Sequence, residues 1–530
     1  MRQVLFLLSL ALSLQSCSRS HPASSAQIQE TVNSSAQVAA VNSQPGQTLV
    51  HDQSVQNSDL LTEKYKHYDQ GIEVLGSGAS YHEQVGHSET GQVTAHISPI
   101  SNTDLSTTPD ISAAQAIALA QSLEKGTAIG TPTLKIFPSS PNPNATKTNK
   151  LIYQVDLDSG KQVWLDAHQG THIATLGNKD KALDDSKDVR VQVMSALNQG
   201  IHVSWSQEDS KDGSQMQTCQ IFQIESQAPL AQQNFDSASC DQQSKNSCQA
   251  LDDDGEPTNI NPASCTNDPN TSQDPSAERA TENAQKFLKY FHDVHDRDSY
   301  DGKGSPIVSV VHVGQYYADA IWDRDQHFLV YGDGDGKTTR DFTFALDIAG
   351  HELTHGVIQA SAGLIAMGET GALNESLADF FGKMIEGQGD WTIGSSIGLN
   401  PGYEGIRDLK NPARLQGQYL AADDSVLTKP YPSTRAQEAP IVYPCTDDND
   451  SCAVHFNATI PGHAWYGLYQ SLGKAKAEKL MYITLTHFLT ELADFGAAAQ
   501  ATEQACATFL SEPECQQVKV ILTNSGMLVP

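Results

Sequence analysis

His351-Glu352-Leu353-Thr354-His355 is the stretch on which the reading of this chain turns. Its histidines are four residues apart, so on a helix they point the same way and can chelate one ion. Neutral imidazole suits a borderline divalent metal, and two histidines with one carboxylate and an open fourth position make a catalytic zinc set. Glu352 adjoins the first ligand and would lie over the open position, where a base for the attacking water is needed. Two histidines at this spacing often coincide by chance, whereas the full H-E-x-x-H string in an apolar helical context is far rarer.

Outward from it, nineteen residues separate His355 from Glu375, which lies in Asn374-Glu375-Ser376-Leu377-Ala378-Asp379-Phe380-Phe381. Ser361-Ala362-Gly363-Leu364 and the Gly368–Gly371 segment supply a turn, so a second helix can run back beside the first and bring Glu375 in as third ligand. Asp379 follows one helical turn later, placed to accept the second ring proton of a ligand histidine and fix its tautomer. The competing explanation, a helix-end carboxylate followed by a surface aspartate, becomes much less favoured once the first motif is present.

With these residues in hand, the chain resembles the thermolysin (gluzincin) family from about Ala277 to the C-terminus. The resemblance also takes in Ala362-Gly363-Leu364-Ile365, Gly371-Ala372-Leu373-Asn374-Glu375 and Tyr331–Gly336. It implies that His351, His355 and Glu375 bind one zinc ion, that Glu352 activates water and relays its proton, and that Asp379 partners His351. It further implies that His455, in Ala453-Val454-His455-Phe456-Asn457, stabilises the oxyanion and that Asp450 orients it. Arg407 would hold the substrate carbonyl, Ala320 would lie on the substrate-binding edge strand, and Ile348 and Ile406 would wall a pocket for an apolar side chain after the cut. Asp347, Glu386 and Asp390 match carboxylates of the family's calcium cluster, and with Thr392 and Ser395 at two further acidic positions one calcium ion is expected. The chain departs from the family where a tyrosine donor is replaced by Ala366, where Asn-Ala-Phe-Trp becomes Asp319-Ala320-Ile321-Trp322, and where Asn-Ser-Gly becomes Asn457-Ala458-Thr459.

The flanks agree with an exported enzyme. At 530 residues the chain exceeds what one core supports. A formal charge of -30 without a sustained basic stretch excludes nucleic acid as a partner. Met1-Arg2-Gln3 followed by an apolar run from Val4 to Leu14 reads as a secretory signal, too short for a membrane-spanning helix. Leu14-Gln15-Ser16-Cys17 resembles a lipoprotein box, so lipidation of Cys17 and ordinary cleavage beyond it both stay open. Of the remaining eight cysteines, Cys445 with Cys452 and Cys506 with Cys515 are natural local pairs, while Cys219, Cys240, Cys248 and Cys265 could pair three ways.

The expected fold is α+β: small β-rich propeptide domains, then a two-lobed catalytic unit with a mixed α/β N-lobe, a mainly α-helical C-lobe and the H-E-x-x-H helix between them. The expected boundaries are a signal peptide at 1–17, a disordered tether at 18–59 and a propeptide resembling FTP and PepSY modules at 60–190. The N-lobe follows at 191–362 and the C-lobe at 363–530. Within the propeptide, a helix around Ala113–Leu123 and strands near Leu151–Leu157 and Gln162–Asp166 are expected, and Ala277–Val294 has helical spacing. Tyr331–Gly336 lacks the acidic positions of an EF-hand and reads as a glycine-permitted turn.

The implied function is a zinc metalloendopeptidase made as a self-processed precursor, secreted or held at the outer membrane of a bacterial cell. Its partners would be protein substrates and its own propeptide, which would act as chaperone and inhibitor, and the chain would be a monomer. Two rivals stand beside it. A zinc aminopeptidase would carry a Gly-x-Met-Glu-Asn-like strand, which is absent from the sequence. A catalytically silent zinc-binding adhesion protein finds its best arguments in Ala366 and Asp319.

Overall fold

The computed structural model describes residues 46–528 except 58, 86, 98–99, 101–104, 139–148, 159–160, 178–190, 198–199, 306, 312–315, 325–326, 388–389 and, within 206–274, all but four short strands. The expected signal segment, Cys17, Cys219, Cys240, Cys248 and Cys265 lie outside the described residues.

The N-terminal part is an eight-stranded sheet ordered β1-β2-β3-β5-β6-β7-β8, with β4 also paired to β3. Its strands are β1 (Gln47–Gln56), β2 (Leu60–Asp69), β3 (Ile72–Gln84), β4 (His87–His96), β5 (Thr133–Phe137), β6 (Lys150–Asp156), β7 (Lys161–Asp166) and β8 (His172–Gly177). Helix α1 (Ala113–Leu123) opens on a Ser112–Gln115 capping box and buries Ala116 and Ala120. They join Val74, Ile136, Leu151, Val163 and Leu165 in a core of their own.

Strand β1 corrects the sequence reading, because Gln47–Gln56 falls inside the stretch expected to be a disordered tether. Its residues are half or fully exposed, so it carries too little apolar signal to announce itself. It is held by antiparallel pairing with β2, register Gln47↔Asp69 to Gln56↔Leu61.

A second sheet, ordered β10-β9-β15-β17-β16, contains β9 (Val191–Leu197), β10 (Gly200–Trp205), β15 (Ile307–Val311), β16 (Ala320–Asp323) and β17 (Phe328–Tyr331). Four short strands, β11 to β14 (Gln220–Ile221, Ala238–Ser239, Gln249–Leu251 and Pro257–Asn259), form two separate ribbons. Strand β16 forms one edge of its sheet.

Helix α2 (Pro275–His295) packs Ala280, Ala284, Phe287 and Phe291 into the largest core, at the 3.6-residue spacing that the sequence shows. The expected turn at Tyr331–Gly336 is present: Gly334 and Gly336 take φ of 77° and 67°, and the Asp335 carboxylate accepts from the amides of Lys337, Thr338 and Thr339.

The rest is largely helical: α3 (Leu346–Gln359), α4 (Gly368–Glu386), α5 (Asp450–Asn457), α6 (Thr459–Leu472), α7 (Lys474–Ile483), α8 (Phe495–Phe509) and α9 (Glu512–Asn524). Strands β18 (Thr392–Ile393), β19 (Arg407–Asp408), β20 (Gln416–Leu420) and β21 (Val426–Pro430) form two hairpin-like pairs between α4 and α5. Helices α3 and α4 lie side by side, and Gly382 makes this possible: a Cβ there would stand 2.4 Å from the Asp347 carbonyl oxygen. Disulfides join Cys445 to Cys452 and Cys506 to Cys515, the two local pairs expected. No helix among the described residues is long and apolar enough to cross a membrane.

The N-terminal sheet docks on the helical part along a seam. Leu75, Phe137, Ile152, Trp164 and Ile173 pack against Ile365, Met367, Leu492 and the Cys445–Cys452 bridge. Each such aliphatic side chain contributes roughly 1.5–3 kcal/mol when fully buried. Strand β8 also reaches across, with the Cys445 amide donating to the Ile173 carbonyl (3.3 Å) and the Thr175 amide to the Cys445 carbonyl (3.4 Å). Further along, the π-helical turn Thr484–Phe488 presents His487 to Thr62 (2.7 Å) and Asn57 (3.2 Å). Beside it, His82 stacks on Phe488.

Candidate metal and active site

Helix α3 carries His351, Glu352 and His355, and α4 carries Glu375 and Asp379, as the spacing predicts. The ligating atoms of His351, His355 and Glu375 lie within 4.8 Å of one another, the only such group of three among the described residues. The two Nε2 atoms are 3.1 Å apart. Glu375 oxygens lie 3.2 Å from His351 Nε2 and 3.4 Å from His355 Nε2. Glu375 Oε2 is buried and faces imidazole nitrogens rather than solvent.

Both ring Nδ1 atoms are engaged elsewhere, His351 with Asp379 (2.8 Å) and His355 with Asn374 Oδ1 (2.8 Å). This leaves both Nε2 atoms turned toward the carboxylate. Two imidazole nitrogens, one carboxylate and outer partners that fix the tautomers are a donor set that fits zinc. The sequence reading missed Asn374, although its place directly before Glu375 on a buried helix was a usable signal.

The electrostatics favour a cation here. Burial would lower the His351 pKa, but Asp379 and Glu375 outweigh it and raise it to about 10. Burial drives His355 the other way, to about 3. Burial would raise Glu375, yet His455, His355 and His351 hold its carboxyl well below the usual range. Asp379, fully buried, is held at about 2 against its burial by Arg407.

Arg407 makes two bonds to that carboxylate, Nε to Oδ2 at 2.8 Å and Nη2 to Oδ1 at 2.7 Å. Nη2 lies 3.9 Å from Glu375 Oε2. The residue expected to hold substrate is therefore also the clamp on the partner of His351. Ile406, next to it, meets Ile348 beside Gly394: a Cβ on that glycine would stand 3.0 and 3.1 Å from their Cδ1 atoms.

Glu352 has one carboxylate oxygen 3.8 Å from His351 Nε2, while the other accepts the backbone N–H of Trp322 at 2.9 Å. Burial pushes its carboxyl up to about 7. The Trp322 amide belongs to β16, so the edge strand fixes this carboxylate, a contact that no side-chain pattern announces. On the same strand Ala320 is buried, and its amide donates to Asp319 Oδ1 (2.9 Å). Burial raises the Asp319 carboxyl, which lies within electrostatic reach of His455, Glu375 and His351.

His455 Nε2 lies 3.3 Å from Glu375 Oε2. Its Nδ1 is paired closely with Asp450 Oδ1, and its amide donates to Asp450 Oδ2 at 2.9 Å. Glu375 and Asp450 outweigh burial and raise its pKa to about 9. The approach is unusual, because Asp450, Ser451, Cys452 and Ala453 have φ of 53°, 45°, 75° and 60°. Left-handed helical backbone costs roughly 1–2 kcal/mol per non-glycine residue.

Two devices hold this turn in place. The first is the Cys445–Cys452 disulfide. The second is Asn449, whose Oδ1 accepts from Thr446 and Cys452 amides while its Nδ2 donates to Val442 and Pro444 carbonyls. Gly371 on α4 makes room for the segment, since a Cβ there would stand 2.5 Å from Val454 Cγ2.

The residues expected to hold calcium are brought together, but around an amine. Lys383 Nζ lies 3.4 Å from Asp347 Oδ2 and is ion-paired with Glu386. Asp390 instead accepts the Thr392 amide at 2.8 Å. The sequence reading did not weigh Lys383, although a lysine inside Phe380-Phe381-Gly382-Lys383-Met384 was a visible oddity.

Residues 205–359 match the family described as "Thermolysin metallopeptidase, catalytic domain", and residues 362–525 match "Thermolysin metallopeptidase, alpha-helical domain". A protein of Listeria monocytogenes serovar 1/2a called "Zinc metalloproteinase" is 37% identical over 236 residues, covering 44% of this chain and 42% of that protein. "Neutral protease NprE" of Bacillus pumilus is 35% identical over 245 residues, covering 46% of this chain and 75% of that protein. A solved structure titled "Precursor of Protealysin, Metalloproteinase from Serratia proteamaculans" aligns at 29% identity and a TM-score of 0.42, over 52% of this chain and 84% of that one. The match spans less than half the length of relatives such as the Listeria protein.

Proposed function

The chain belongs to the thermolysin metallopeptidase family, and from that premise we propose that it is a zinc endopeptidase that cuts internal peptide bonds and is made as a precursor. The observation that carries the proposal is the convergence of His351, His355 and Glu375 with a base, Glu352, 3.8 Å from a ligand nitrogen. When bound, zinc supplies Lewis-acid polarisation and makes water acidic enough to attack near neutral pH.

The chain's own groups do the rest. Glu352, steadied by the Trp322 amide, accepts the water proton and later delivers it to the leaving amine. His455, oriented by Asp450, donates to the oxyanion as the carbonyl carbon becomes tetrahedral. Arg407 keeps Asp379 ionised against His351, and Ile348 and Ile406 offer an apolar wall that supports a preference for apolar side chains after the cut. Ala366 leaves one oxyanion donor fewer than the family pattern, and Asp319 replaces an amide with a carboxylate at the edge strand, so slow or selective turnover is expected. The eight-stranded N-terminal sheet is read as the propeptide, with export of the precursor from a bacterial cell and function outside it. Only zinc enters this reading, since Lys383 stands among the carboxylates that calcium would need.

The deciding experiment uses an internally quenched peptide blocked at both ends and the mature, zinc-loaded protein. Cleavage supports an endopeptidase. No cleavage, or cleavage only of peptides with a free amino terminus, defeats the reading. Within it, His455→Ala is expected to lower kcat by about a hundredfold with KM little changed, the usual scale for one lost oxyanion donor. Steady-state kinetics on that peptide would check the split.

A further inference from the structure

The family resemblance calls for calcium beside the zinc helix, and the residues present do not fit it. Asp347, wholly buried on α3, Glu386 on α4 and the Thr392 carbonyl on β18 converge from three elements on one point. Lys383 Nζ stands at that point, on a side chain only 1% exposed. It lies 3.4 Å from Asp347 Oδ2 and 3.2 Å from the Thr392 carbonyl, with Glu386 Oε2 as third acceptor.

Three acceptors satisfy all three protons of an ammonium. Further amides draw on the same carboxylates: Asp347 Oδ2 also accepts the Gly394 amide (2.8 Å), Asp347 Oδ1 the Ile348 amide (3.0 Å) and Asp390 Oδ1 the Thr392 amide (2.8 Å). Arg414 adds a second positive charge nearby, donating to Thr392 Oγ1 at 3.0 Å. Calcium needs six to eight oxygens arranged around an ion, which a resident ammonium both occupies and repels.

We propose that Lys383 is a built-in cation that replaces calcium, tying α3, α4 and the β18 segment together so that the zinc helix is held without a second metal. The ammonium offsets one of the two negative charges on Asp347 and Glu386 from within the chain. Chain folding alone therefore delivers the cation, and calcium-poor surroundings leave the site intact.

The test starts with the unmodified, zinc-loaded protein in calcium-stripped buffer. Equilibrium dialysis against 1 mM calcium should leave bound calcium well below one ion per chain, and the thermal midpoint should not move. One calcium bound per chain at micromolar free calcium, or a midpoint that calcium raises by several degrees, overturns the proposal. Lys383→Met should lower the midpoint by roughly 10 °C, because a buried ion pair is broken from one side. Adding Glu386→Gln to it should recover part of that loss. No loss in the single variant, or no recovery in the double, counts against the proposal. None of these readouts depends on peptidase activity.

Discussion

Replacing Glu352 with glutamine should leave a folded, zinc-loaded protein whose kcat on a blocked peptide is at least about 10³-fold lower, within the range that a positioned general base contributes. The substitution is nearly isosteric, and the amide oxygen can still accept the Trp322 N–H that the carboxylate accepts at 2.9 Å. None of His351, His355 or Glu375 is altered, and Asp379 and Asn374 keep the imidazoles in place. What disappears is the capacity to take a proton in a pocket where burial already brings the carboxyl to about 7. Kinetics paired with metal analysis checks this. A variant with one zinc per chain and more than a tenth of wild-type kcat would remove Glu352 from the mechanism. Equal inactivity in both proteins would favour a silent zinc-binding protein.

In a chain cut between the N-terminal sheet and the rest, acidification should release the sheet, with a dissociation constant that rises by several hundredfold between pH 7 and pH 5. At the seam, Asn57 Nδ2 donates to His487 Nε2 (3.2 Å), and His487 Nδ1 pairs with Thr62 Oγ1 (2.7 Å). Thr62 pairs in turn with His82 Nδ1 (2.9 Å), whose Nε2 meets Thr94 (2.7 Å). Every atom in this chain has one consistent role when both imidazoles are neutral. A proton on His82 Nδ1 would confront the Thr62 hydroxyl proton and break this chain of bonds.

Burial first, and then the Lys64 charge, depress both histidines to about 3, with His82 itself adding to the effect on His487. Lys64 lies on β2 with Nζ 3.5 Å from the Leu489 carbonyl, Glu491 accepts the Gly76 amide across the seam, and Asp59 pairs with Lys479 at its rim. The sign follows from the depression. Docking is at full strength above the free histidine value of about 6.5, and it is lost as pH falls toward about 3. The loss is about tenfold per histidine for each unit, or about 25-fold each from pH 7 to 5. Gel filtration of the cleaved protein across that range would measure it. A dissociation constant that does not move, or the same slope after His82→Gln and His487→Gln together, would end the idea.

The helices and the metal cluster were legible because their signals are local or repeat with a fixed period. His351 and His355 share a helix face, and Glu375 follows at a distance that a turn can fold back. The Asp450–His455 relation came only through the family resemblance, and the structure pairs the two residues. Other contacts left no such trace. The Trp322 amide that holds Glu352 is backbone, identical in every residue, and only the path of β16 brings it there. Arg407 read as a substrate contact because its pairing with Asp379, 28 residues away on α4, is a tertiary contact that no local pattern marks. Strand β1 was hidden by its exposure, since an edge strand of polar residues looks like linker until its partner is known. Lys383 was visible but uninterpreted, because a buried lysine acquires meaning only from the carboxylates that surround it.

The left-handed turn before His455 also bears on the order in which the molecule is finished. Strand β8 is bonded to Cys445, so the N-terminal sheet holds the very loop whose bridge helps keep Asp450 to Ala453 wound the costly way. If cleavage then removes the sheet, a covalent bond remains behind as a record of the shape the sheet helped to impose. The Cys445–Cys452 bond would then stay three residues before His455, keeping that loop closed without the sheet.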